Sequence, residues 1–61
     1  MTKITVRYDF VERMWGQMVT TTNATTYTFS GDEIAAYVAV INENLPFGAY
    51  NVSMTIEKIE N

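Results

Sequence analysis

Side chains able to do covalent chemistry are scarce in this 61-residue chain. It contains no cysteine and no histidine, which excludes disulfide frameworks, thiolate nucleophiles and every zinc site built from those residues. A nucleophile would have to be Ser30, Ser53 or a threonine, and neither serine has an adjacent lysine to activate it. The seven acids are Asp9, Glu12, Asp32, Glu33, Glu43, Glu57 and Glu60, and they never fall into the alternating loop that cages calcium in an EF-hand. Asp32 and Glu33 are adjacent, but neighbours in a first helical turn point apart and suit the helix dipole better than acid–base work. With three glycines in all, no phosphate-cradling loop is present. The chain is not expected to be an enzyme, and no cofactor or metal is expected.

Binding chemistry is better represented. Arg13, Met14, Trp15, Met18 and Val19 crowd one short stretch beside Val11 and Glu12. Tryptophan and arginine are enriched at binding hot spots, and the flexible thioether of methionine adapts to irregular partner surfaces. These five residues form the candidate partner-binding site; the alternative folds the stretch back so that Met14 and Trp15 cap a small core. A second candidate is Ala36, Ala39 and Val40. With Ala35 they surround the core stripe of a predicted helix, and a helix apolar nearly all round expects cover on its second side. The expected cover is another copy of the chain, as a homodimer.

A net charge of −3, with only Lys3, Arg7, Arg13 and Lys58 as cations, leaves little positive surface to track a phosphate backbone. Nucleic acid is not the expected partner on that ground. An alternative reading is a nucleic-acid-binding regulator in which a dimer pools Lys3 and Arg7 into one strip. Another is a structural subunit of a larger assembly.

The elements that position these residues follow from periodicity. From Thr2 to Phe10, Ile4, Val6, Tyr8 and Phe10 alternate with Lys3, Thr5, Arg7 and Asp9, the pattern of a half-buried strand. Trp15-Gly16 is a candidate turn, since glycine tolerates positive φ. Gln17 to Phe29 is rich in threonine and ends in alternation through Tyr27 and Phe29, so a second strand pairs back with Ile4 facing Tyr27, Val6 facing Thr25 and Tyr8 facing Asn23. A rival turn at Thr22-Asn23-Ala24 would split this stretch into 17–22 and 24–29.

Ser30 to Asn44 reads as the helix. Ser30 and Glu33 have capping-box spacing, Ile34, Tyr37, Val38, Ile41 and Leu45 recur at helical intervals, and Pro46 ends the run. Ala49 to Ile59 alternates again, with Tyr50, Val52, Met54 and Ile56 on one side and a bulge or fraying near Glu57-Lys58. The expected core also takes in Phe47, which closes its lower end with Leu45.

The fold class is therefore α+β: a single β-β-α-β domain over 1–61, with a three-stranded antiparallel sheet in order 2-1-3 and one helix packed on one face. That helix, of about fourteen residues and roughly 21 Å, is too short to cover strands of roughly 40 Å, so the hairpin end around Trp15 is expected to overhang. No run is long and apolar enough for a membrane span, and the N-terminus lacks a signal-peptide core, which predicts a cytoplasmic protein. Asn23-Ala24-Thr25 and Asn51-Val52-Ser53 match glycosylation triplets but have no function without a secretion route.

In size, mild acidity and layout, and through no motif, the whole chain is similar to the short accessory proteins carried by phages and mobile elements. Those include inhibitors of host defence of the anti-CRISPR and anti-restriction type. The resemblance implies a non-enzymatic protein-binding module that inhibits a larger host complex by occupying its surface.

Overall fold

Alternation and turn chemistry account for the first two elements, β1 (Thr2–Met14) and β2 (Gln17–Phe29). They form one long antiparallel hairpin in a computed structural model that describes residues 1–59. Residues 60 and 61 of the expected 1–61 domain lie outside the described residues. The two-residue turn falls at Trp15-Gly16, with Met14 opposite Gln17. Both turn residues have positive φ, 54° and 77°, as in the type I′ turn whose twist matches that of the flanking strands. The pairs Ile4–Tyr27, Val6–Thr25 and Tyr8–Asn23 face each other as expected. β2 runs unbroken through Asn23, so the rival turn does not form.

The helix α1 (Ile34–Asn44) begins four residues later than Ser30, and the capping box is not made. Gly31, at φ 95°, bends the chain before any helical turn can start. Glu33 then occupies the N-cap position without a side-chain hydrogen bond, and no acidic residue lies in the first turn. Asp32 instead pairs with Lys58 at 3.5 Å, on the surface. The lead-in is tied down through backbone carbonyls. The Thr2 hydroxyl donates to the Gly31 carbonyl at 2.6 Å, the Tyr37 hydroxyl donates to the Ser30 carbonyl, and the Tyr37 ring stacks on Phe29 with centroids 4.3 Å apart. The far end matches expectation: Leu45, ahead of Pro46, has left helical geometry for φ −68°, ψ 140°.

β3 (Tyr50–Lys58) pairs antiparallel with β1 on the side opposite β2, giving strand order β2-β1-β3. Its irregularity is not at Glu57-Lys58, where the ladder is regular through Thr2–Lys58, but between Arg7–Ser53 and Asp9–Tyr50. There Tyr8 is opposed by both Asn51 and Val52. Asn51 takes a left-handed φ of 52°, which asparagine tolerates. The bulge moves Tyr50 onto the face of Asp9, away from the helix.

Among the described residues, only Ile4, Val6 and Ile41 form the buried apolar centre, with Tyr8, Tyr27, Phe29, Tyr37, Leu45 and Met54 packed around it. Four expected core residues are exposed: Phe47, Tyr50, Val52 and Ile56. A helix about 10 Å wide covers roughly two strands spaced about 4.8 Å apart, so the outer side of β3 goes without cover. Phe47 leaves the core for a different reason. The Ala49 N–H donates to the Pro46 carbonyl at 3.1 Å with Gly48 at φ 88°, and Phe47 projects outward from the second position of that turn.

Candidate functional site

The hairpin outruns everything that packs on it. Thirteen-residue strands extend roughly 44 Å, in a molecule whose longest dimension is 48 Å. The eleven-residue helix spans only about 16 Å, and the β3 ladder stops at Asp9. From Phe10 to Thr21 the protein is a two-stranded ribbon.

Register distributes the candidate residues over that ribbon. Residues directly opposite in an antiparallel pair share a face. Arg13 and Met18 therefore lie together on the face away from the helix, next to the Val11–Thr20 pair. Met14 and Val19 lie on the helix-side face, which continues the core past Tyr8 and Phe10, whose rings are 6.0 Å apart. The five residues thus divide into two small groups, back to back, Arg13 with Met18 and Met14 with Val19, joined by Trp15 at the apex. Val11, Met14, Met18 and Val19 are all exposed, and Trp15 is 97% exposed. The fold-back in which Met14 and Trp15 cap the core does not occur.

Trp15 is also strained. A bulky residue in the left-handed region costs about 1–2 kcal/mol relative to its ordinary conformation, and a type I′ turn favours asparagine, aspartate or glycine at that position. Its ring recovers none of this by burial. Local folding physics does not select a tryptophan here.

Where the ribbon leaves the body, Asp9 joins all three strands. Its carboxylate accepts from the Thr22 hydroxyl of β2 at 2.6 Å and from the Asn51 amide of β3 at 3.1 Å. These two bonds, the Thr22 one foremost, hold its pKa below the ordinary 3.8 against a weak opposing effect of desolvation. On the same face Lys3 lies opposite Glu57, and Arg7 is flanked by Ala24 and Ser53, so the two cations are interleaved with acids within one chain.

Ala36, Ala39 and Val40 are exposed on the outer side of the helix. Phe47, fully exposed at the connection between the helix and β3, is an aromatic that reasoning from hydrophobicity assigned to the core. The Pro46-Phe47-Gly48 sequence carried the contrary signal, because it is turn chemistry and turns project their side chains. Among the described residues there is no enclosed cavity, no group of three or more metal-ligating side chains and no helix long and apolar enough to cross a membrane. No protein-family model, curated protein or solved structure matches the chain.

Proposed function

We propose that this protein is a non-enzymatic binding module of the cytoplasm that grips a larger protein with the end of its hairpin, Trp15 foremost. The observation that carries the reading is the conjunction at Trp15 of conformational cost and complete exposure. A side chain that destabilises its own turn and covers nothing within the fold makes physical sense where a second surface covers it. Large aromatic anchors flanked by arginine and methionine are the usual composition of such contacts. Arg13 and Met18 on one face, and Met14 and Val19 on the other, are the flanking contacts. A ribbon only two strands thick fits a groove, so that both faces touch the partner.

The mode of action is occupation of a surface on a larger complex, as an accessory protein of phage or mobile-element type would inhibit a host defence assembly of the anti-CRISPR or anti-restriction kind. Affinity capture from the native host tests it. Wild type retains a defined partner, and Trp15→Ala loses it with its circular dichroism unchanged. Retention of the partner by the folded variant would remove the tip from the interface.

A further inference from the structure

Edge strands present rows of unpaired N–H and C=O groups, and proteins ordinarily blunt them with charge, proline or bulges. The two edges of this sheet are treated differently. β3 carries the bulge at Asn51 and ends on Glu57 and Lys58. β2 carries none of these devices: from Gln17 to Phe29 it has no charge, no proline and no glycine, and it follows β1 residue for residue. The charge-free run extends from Met14 to Gly31.

The hairpin turn determines which groups are free. The residues flanking a two-residue turn form a hydrogen-bonded pair, and every second pair after it does likewise. Gln17 and the odd-numbered residues up to Phe29 therefore bond to β1. Met18, Thr20, Thr22, Ala24, Thr26 and Thr28 turn their backbone groups outward.

We propose that this edge pairs with the β2 edge of a second copy, antiparallel about a twofold axis at Asn23, to make one continuous six-stranded sheet. A second copy is the occupant because twofold pairing sets the strand against its own sequence, and a strand without charge meets no like charge near the axis. Full overlap faces Met18 with Thr28, Thr20 with Thr26 and Thr22 with Ala24 on one face, and Val19 with Tyr27 and Thr21 with Thr25 on the other. Threonine–threonine and aromatic–β-branched pairs are favourable cross-strand combinations, and the ladder supplies about twelve new hydrogen bonds. Val19, exposed in a single chain, gains cover from Tyr27 of the second copy. Arg13, Met14 and Trp15 stay outside the paired segment, leaving a free tip at each end. The pairing rests on the fold and not on the partner-binding reading; it takes up Met18 and Val19 of that reading's contacts and leaves Arg13, Met14 and Trp15 to it.

Sedimentation equilibrium over a concentration series, with amide hydrogen exchange on the same samples, tests it. The expected mass rises to twice the 6.9 kDa of the chain, with slowed exchange at the six outward amides. Ala24→Lys places charge beside the axis. Thr20→Pro removes an N–H that faces solvent in the monomer, where an edge strand tolerates proline. Both variants return to the monomer mass with the hairpin retained, and Val40→Glu leaves the dimer intact. The proposal is overturned by a monomer at every concentration, by a dimer whose six outward amides exchange freely, by growth past the dimer, or by dissociation through Val40→Glu in place of the β2 variants.

Discussion

At the scale of single residues, the positions that matter most are those where backbone conformation and side-chain type disagree or agree most sharply. Gly31 agrees. Its φ of 95° lies outside the ordinary range of L-residues, and an added Cβ would sit 3.1 Å from the Tyr37 hydroxyl oxygen. Gly31→Ala is expected to destabilise the fold by about 1–2 kcal/mol, read as a lower urea midpoint; an unchanged midpoint would mean that the bend before the helix is not fixed by this residue. Asp9 makes a prediction in pH. Its folded pKa is lowered below 3.8, so its contribution to stability is present above the unfolded value and is lost as pH falls through the lower folded one. Urea midpoints measured from about pH 5 to about pH 2 fall for wild type, and Asp9→Asn removes part of that slope. An identical slope in the variant would show that the bonds from Thr22 and Asn51 do not distinguish the carboxylate from an amide.

At the scale of elements, the hairpin was legible almost residue for residue, because alternation and a two-residue turn leave one register that keeps Ile4, Val6, Tyr27 and Phe29 on one face. The helix was legible in its apolar stripe and its stop, but not in its start. Ser30 and Glu33 have the right spacing for a capping box, yet Gly31 between them takes a conformation no helix begins with, and hydroxyl groups of Thr2 and Tyr37, donating to the Gly31 and Ser30 carbonyls, hold the lead-in instead. For β3, alternation in sequence read as one face, and the bulge at Asn51 broke that link. A left-handed asparagine inside a strand has no signature in hydrophobic pattern. The helix rests on its buried residue Ile41, 1% exposed. Ile41→Ala is expected to cost about 2–4 kcal/mol, a large part of the stability a domain of this size commands. Thermal unfolding checks it, and a loss below about 1 kcal/mol would mean that the helix is held mainly by the Phe29–Tyr37 stack.

At the scale of the whole molecule, a small helix-covered body carries a bare two-stranded ribbon from Phe10 to Thr21. Such a ribbon is marginal in water by itself and exposes Val11, Met14, Trp15, Met18 and Val19 together. The composition of that stretch singled it out from sequence, and the difference in length between helix and strands placed it beyond the core. What pattern alone did not reveal is that the register divides the set between two faces, and that Trp15 sits in a conformation suited to asparagine. That last point separates folding from binding in a single substitution. Trp15→Asn gives the turn its preferred Asn-Gly sequence. The unfolding free energy is predicted to rise by about 0.5–1 kcal/mol, a gain of several degrees in melting temperature, while capture of the partner is lost. A Trp15→Asn protein that is less stable than wild type, or one equally stable that still holds the partner, would contradict a tryptophan kept for contact outside the fold.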